Sequence, residues 1–218
     1  MRITEYLIEK DPSLVIHNES EFSSDTKGFK SFNDAGLECE TGEFLYALIR
    51  LLKPDFVLET GTHEGVGASY MGQALKDNGF GQLDTVEFLQ PHHETSKKRM
   101  ARLGLDNVVL HLGDVATFTP GKKYDLILLD TEPQTRFSEL IKFMPNLNEG
   151  GFVFIHDLHR HMHQIPNEEH GFAWPYGKIP PEIEQWVKFG ILRPFHFTTP
   201  RGLTGFYRPH EGDYKWQD

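Results

Sequence analysis

The sequence predicts an α/β fold: a doubly wound, mostly parallel sheet with helices on both faces. Short apolar runs alternate with segments of helical periodicity from about Gly42 to Phe189, the pattern of βαβ units joined by right-handed crossovers. The run Tyr124-Asp125-Leu126-Ile127-Leu128-Leu129 is apolar almost without interruption, as a strand covered by helices on both faces must be. Near the end, two strand-like runs flank the tight turn Thr199-Pro200-Arg201-Gly202, which predicts an antiparallel hairpin closing the sheet.

The elements follow in order. Glu43 to Leu52 carries a helical apolar stripe that Pro54 stops. Phe56-Val57-Leu58 reads as a short buried strand ending in Glu59-Thr60-Gly61. A helix is expected from about Val66 to Lys76, then a turn at Gly79 and Gly81, then a second strand from Leu83 to Val86. Pro91 sits where a helix begins, and that helix reaches about Leu103. Val108 to Leu112 is the third strand and Tyr124 to Leu129 the fourth. A helix from about Thr135 to Met144 leads through Gly150-Gly151 to a fifth strand, Phe152 to Ile155, and the hairpin pairs Phe195–Thr198 with Leu203–Tyr207. Residues 1–40 are read as an N-terminal cap region. Residues 158–181, rich in His, Pro and aromatics, are read as a lid or acceptor loop, because long irregular segments usually serve function. Without repeats, low-complexity tracts or a linker, residues 1–218 read as one domain.

Composition narrows the function classes. Hydrophobic residues make up 38% and charged residues 25%, the mix of a soluble globular domain. No run approaches the roughly 18 apolar residues of a membrane span, and Met1 to Tyr6 lacks an apolar signal core. Cys39 is the only cysteine, so no internal disulfide forms. These features predict a cytoplasmic protein. The formal net charge of −10 repels a phosphate backbone, which argues against a nucleic-acid partner. The densest basic cluster, Lys97-Lys98-Arg99 with Arg102, reads as a solvated helix face. The expected partner is a small molecule, with neither nucleic acid nor membrane.

Chemistry concentrates at strand ends. Glu59-Thr60-Gly61-Thr62-His63-Glu64-Gly65-Val66-Gly67 follows the first strand and opens a helix. Glycine there admits positive φ and lets backbone approach a ligand closely, and ligands of open α/β sheets sit beyond the carboxyl ends of the strands. Two rival loops fail on spacing. The dinucleotide pattern starting at Gly65 needs a small residue at position 70, which is Tyr70, and no Gly-Lys-Ser/Thr is present. A bare strand-to-helix turn stays open as the bland alternative. Glu87 ends the second strand beside this turn, where a carboxylate can accept both hydrogen bonds of a ribose diol. Glu59, Glu87, Asp114 and Asp130 thus place an acid at the end of each of the first four strands.

From about Gly36 to Tyr207 the chain resembles the class I S-adenosylmethionine-dependent methyltransferases. Within them it is similar to the branch of catechol, caffeoyl-CoA, sugar and natural-product O-methyltransferases. The resemblance rests on Val57-Leu58-Glu59-Thr60-Gly61-Thr62 with Gly65, on Thr85-Val86-Glu87, on Gly113-Asp114, on Tyr124 to Asp130 and on Leu147 to Asp157. It implies S-adenosyl-L-methionine as cofactor, held by Glu59, Gly61, Thr62, His63, Gly65, Gly67, Glu87, Asp114 and Asp130. It also implies seven strands in the order 3-2-1-4-5-7-6 with strand 7 antiparallel, O-methylation of a small hydroxylated molecule such as a sugar or phenol, and dimers by analogy.

In the metal-assisted members, carboxylates ending strands four and five hold Mg²⁺; the matching residues are Asp130 and Asp157. That implies a site for Mg²⁺ or another divalent ion at Asp130 and Asp157, and the residues themselves offer His156 or His159 to complete it. The chain departs from the branch twice. Leu158 stands where an asparagine or acid often follows the second aspartate, and Pro133 stands where catechol-type enzymes carry a lysine base. His156, His159, His161 and His163 lie close by, and His156 or His159 is expected to supply the base, with Asp130 in the catalytic set. A solvated polar loop is the bland alternative for these histidines. Phe172, Trp174 and Tyr176 either line an acceptor pocket or pack the loop onto the body. Two other functions stay open: a metal-dependent hydrolase using the His/Asp cluster, and a protein that binds the cofactor without catalysis.

Overall fold

The computed structural model describes residues 1–19, 28–33, 36–158, 179–197, 199 and 201–212. In chain order these form α1 (Ile3–Lys10), β1 (His17–Glu19), β2 (Phe29–Ser31), α2 (Cys39–Leu52), β3 (Phe56–Thr60), α3 (Val66–Asn78), β4 (Gln82–Glu87) and α4 (Gln90–Leu103). Then come β5 (Val108–Leu112), β6 (Tyr124–Leu129), α5 (Arg136–Phe143) with a 3₁₀ turn at Met144–Asn146, β7 (Leu147–His156), α6 (Pro181–Lys188), β8 (Arg193–Phe197) and β9 (Leu203–Tyr207).

Seven strands make one sheet in the order β5-β4-β3-β6-β7-β9-β8. The first five pair in parallel, while β9 runs antiparallel to both β7 and β8. Counted from the first strand of this sheet, the order is 3-2-1-4-5-7-6; β1 and β2 form a separate two-stranded ribbon, which shifts the chain-order labels. The unbroken apolar run of β6 now has its reason. Leu126 and Leu128 enter the core under α1 to α4, and Ile127 and Leu129 enter the core under α5 and α6. Alternate side chains point to opposite faces, and both faces are dry.

Three elements lie outside the sequence expectations. The helix α1 has only eight residues and fully buries only Thr4 and Leu7, too few apolar positions to show a stripe. The ribbon β1–β2 and the helix α6 are equally short. Strand β7 starts at Leu147, five residues before the expected Phe152, because Gly150-Gly151 is a bulge inside the strand. Pairing with β6 jumps from Tyr124–Leu147 to Leu126–Phe152, and Gly150 has φ +78°.

The basic cluster on α4 is a correction. Lys97 and Lys98 are exposed, but Arg99 is buried. Its Nε lies 3.1 Å from Asp11 Oδ2, while Arg102 reaches Asp11 Oδ1 at 2.9 Å. Arg99 also donates to the carbonyl of Glu64. It thereby ties the end of α1 and the glycine-rich turn to α4, a role that charge counting along the sequence does not reveal. Among the described residues no helix is long and apolar enough to cross a membrane. His159, His161, His163, Phe172, Trp174 and Tyr176 lie outside the described residues.

Candidate active site

The turn between β3 and α3 is fixed by its own backbone. Gly61 N and Thr62 N donate to Val86 O at 3.0 and 3.2 Å, and Gly65 N donates to Thr62 O at 2.8 Å. Gly61 has φ +81°, and a Cβ there would strike the backbone of Asp130, so the end of β6 abuts the turn. At Gly65, φ is +82° and a Cβ would sit 2.9 Å from Ser96 Cβ of α4. His63 takes the left-handed region without being glycine, at φ 48°, a conformation that costs energy and points to a local demand.

That conformation aims His63 N at Glu87. The amide donates to Glu87 Oε2 at 2.6 Å, and Leu89 N donates to Oε1 at 2.8 Å. Two backbone donors therefore lock the carboxylate, and each oxygen keeps a lone pair for a ligand. Phe88 and Leu112, at the ends of β4 and β5, are 67% and 50% exposed and form an apolar rim beside it. The His63 ring stacks on His92 with centroids 4.1 Å apart. Burial, then the charge of His92, lowers the His63 pKa. Its Nδ1 is buried without a hydrogen-bond partner among the described residues.

Glu59 and Thr62 face the other way. Thr62 Oγ1 lies 2.5 Å from Thr85 Oγ1, which donates to Glu59 Oε2 at 2.5 Å. The Glu59 carboxyl lies against Gly67, where a Cβ would collide with it. Burial pushes Glu59 up to about 8, the charges of Asp130 and Glu87 reinforcing it against the Thr85 hydrogen bond. It is therefore a neutral acid near pH 7, bracing the turn from beneath. Asp114 is exposed, and its Oδ1 accepts from Ala116 N at 2.8 Å, capping the turn after β5.

The raised Glu59 pKa has a signed consequence. Between its ordinary 4.5 and about 8 the folded state binds more protons than the unfolded state, so stability falls as pH rises through this window. Glu59→Gln keeps the shape without the ionisation. Urea unfolding of this variant is expected to lack that decline, a difference on the order of a few kcal/mol at pH 8. An unchanged slope would show that Glu59 titrates normally.

The second group lies where β6 and β7 end. Ligand atoms of Asp130, His156 and Asp157 all fall within 4.8 Å of one another. His156 is fully buried; its Nδ1 lies 2.8 Å from Asp130 Oδ1 and its Nε2 lies 2.5 Å from Glu38 Oε2. Burial opposes the imidazolium, but the Asp130, Asp157 and Glu38 charges override it and push the pKa up to about 10. Both ring nitrogens are thus protonated donors near pH 7. Among the described residues both ring nitrogens of His156, the expected general base, are engaged by carboxylate oxygens. The stability it contributes is complete below its ordinary 6.5 and is lost as pH rises through about 10.

Two guanidinium groups complete the cluster. Arg136, at the first turn of α5, donates to Asp157 Oδ2 at 3.2 Å from both Nη atoms, to Asp130 Oδ1 at 3.1 Å, and to the carbonyls of Thr131 and His156. Arg201, in the β8–β9 turn, reaches Asp157 Oδ2 at 2.9 Å and Oδ1 at 2.7 Å, and donates to Gly36 O at 2.7 Å. Burial works against ionised Asp157, but the charges of His156, Arg201 and Arg136 hold it well below the usual carboxylate range. His156 holds Glu38 low in the same way, against burial. Sequence reasoning missed Glu38, Arg136 and Arg201. Arg136 had a signal, an arginine opening the helix that follows Asp130; Glu38 and Arg201 belong to no motif and arrive only by folding.

Comparison with known proteins agrees with this architecture. Residues 58–158 match the methyltransferase-domain family, in keeping with the resemblance to class I methyltransferases read from the motifs. Among individual relatives, a protein of Mycobacterium sp. (strain KMS), provisionally named an O-methyltransferase, is 25% identical over 120 residues, 53% of this chain and 54% of its own length. The Thermotoga maritima protein-L-isoaspartate O-methyltransferase is 32% identical over 107 residues, 45% of this chain and 30% of its own length. The first of these matches spans about half of the relative's length. Among solved structures, the O-methyltransferase TomG of Streptomyces achromogenes superposes with TM-score 0.67 at 19% identity, covering 81% of this chain and 83% of TomG. The Podospora anserina methyltransferase PaMTH1 gives 0.70 at 14% identity, covering 96% and 94%. These structural likenesses establish the fold.

Proposed function

We propose that this protein is an S-adenosyl-L-methionine-dependent O-methyltransferase that acts on a hydroxyl group of a small molecule, such as a sugar or a phenol. The observation that carries the reading is Glu87, locked by two backbone amides at the end of β4 beside the glycine-rich turn and an exposed apolar rim. A carboxylate so placed suits a ribose diol, and Phe88 and Leu112 suit a planar base. The unpartnered Nδ1 of His63 adds a polar group without a protein partner in the same turn. TomG, whose structure contains the cofactor, and the Bacillus cereus O-methyltransferase solved with S-adenosylhomocysteine share this fold.

When bound, the cofactor supplies a methyl carbon activated by a sulfonium. The acceptor oxygen forms the new C–O bond while the C–S bond breaks toward sulfur, and the hydroxyl proton passes to a carboxylate oxygen or to water. The chain contributes position: Gly61 allows the turn to close against Asp130, and Asp130 presents its carboxylate at the adjoining strand end. Titration calorimetry of S-adenosylhomocysteine into the full chain tests the reading. Micromolar binding, about −8 kcal/mol, is expected, and Glu87→Ala is expected to weaken it by about 100-fold through two lost charge-assisted hydrogen bonds. Absence of binding to the wild-type chain would overturn the proposal.

A further inference from the structure

We propose that the acid cluster at the ends of β6 and β7 works without a metal. Arg136 and Arg201 take the place in the charge balance that a divalent cation would fill, leaving Oδ2 of Asp130 to position the acceptor hydroxyl. The inference rests on the methyltransferase reading and departs from the metal site implied by sequence resemblance.

The donor set decides it. A divalent ion at Asp130, His156 and Asp157 needs open lone pairs. Here Asp157 Oδ2 accepts from Arg201 and from both Nη atoms of Arg136, while Oδ1 lies 2.7 Å from Arg201 Nε as an ion pair without a hydrogen bond. Asp130 Oδ1 accepts from Arg136 and from His156. His156 spends both ring nitrogens on carboxylate oxygens, Nδ1 at 2.8 Å from Asp130 and Nε2 at 2.5 Å from Glu38, so neither is turned to a shared ion. Three carboxylates, Glu38, Asp130 and Asp157, face three cations, His156, Arg136 and Arg201. Adding a dication there would require the expulsion of guanidinium groups that are nearly buried, with side chains 3% and 13% exposed.

Glu38 Oε1 and Asp157 Oδ1 also lack a hydrogen bond among the described residues but are buried, which leaves Asp130 Oδ2 as the open carboxylate oxygen nearest solvent. Asp130 is the most exposed of the three acids, at 14% against 9% for Asp157 and 1% for Glu38. Among the described residues its Oδ2 receives no hydrogen bond, and its backbone abuts Gly61. It is therefore the group that accepts the hydrogen bond of an acceptor hydroxyl, with Arg136 and His156 as positioning residues that fix its orientation. Without chelation, the acceptor needs a single hydroxyl and no neighbouring oxygen.

Mn²⁺ binding, followed by electron paramagnetic resonance on the full chain with S-adenosylhomocysteine present, tests this. The wild-type chain is expected to hold no Mn²⁺ at sub-millimolar concentrations. Arg201→Ala uncovers Oδ1 of Asp157, leaves Oδ2 to Arg136 alone, and is expected to raise Mn²⁺ affinity by about tenfold or more. Arg201→Lys retains a cation and is expected to stay metal-free. A merely structural arginine would produce no such gain. One Mn²⁺ bound per wild-type chain and released by Asp157→Asn would overturn the proposal. Calorimetry on the same samples keeps the two readings apart: bound S-adenosylhomocysteine together with bound Mn²⁺ sinks the metal-free assignment alone, whereas no S-adenosylhomocysteine binding sinks the methyltransferase reading.

Discussion

Arg136→Ala is expected to destabilise the protein by about 3–5 kcal/mol, the cost of stranding buried charges whose partner has been removed. The guanidinium serves two carboxylates and two carbonyl oxygens at once, and its side chain is 3% exposed. Its removal leaves Asp157 in a dry site with Arg201 as the remaining arginine and deprives the carbonyls of Thr131 and His156 of a donor. Arg136→Lys is expected to recover little, because one ammonium cannot reproduce the planar fork. Urea unfolding at pH 7 measures both. A loss below about 1 kcal/mol, the range of an exposed pair, would mean that the cluster does not depend on this residue.

Gly61→Ala is expected to act on stability and cofactor binding together. The backbone has φ +81°, which costs an L-residue about 1–2 kcal/mol. The added methyl would also strike the backbone of Asp130 rather than a movable side chain, which adds about 1–3 kcal/mol of overpacking. Relief requires parting the turn from the end of β6, and that displaces Glu87's amide donor at His63. The expected result is a lower melting temperature with weakened S-adenosylhomocysteine binding. Unchanged binding in a folded variant would show that the close approach of turn and strand is not needed for the ligand.

The sheet was legible because its signals are local. The strand at Tyr124, covered on both faces, must be apolar almost throughout, and its run and the half-buried run at Val108 have the same bounds in sequence and structure. The glycine-rich turn was legible for the same reason: Gly61, Gly65 and Glu87 are within 27 residues and their spacing carries the geometry. The acid cluster was half legible. Asp130, His156 and Asp157 do meet, yet a sequence shows which groups end neighbouring strands and not which cations come to neutralise them. Glu38 reaches His156 across 118 positions and Arg201 reaches Asp157 across 44. With those partners hidden, a histidine between two acids reads as a base or ligand, and the sequence does not show that Glu38 takes its second nitrogen. Pro133 and Leu158, which interrupt the metal-assisted pattern, were the one visible sign.

The contact between Arg201 and Gly36 spans 165 positions and bears on how the chain matures during synthesis. The glycine-rich turn and its acid have emerged from the ribosome well before the β8–β9 hairpin exists. Until that hairpin docks, Asp157 and Glu38 lack one of their countercharges. The nascent β7 end is therefore poorly disposed to bury its acids early, and the final hairpin acts as the latch that makes burial favourable. Such long-range closure is slow in folding, and it ties segments 165 positions apart to the same acid cluster.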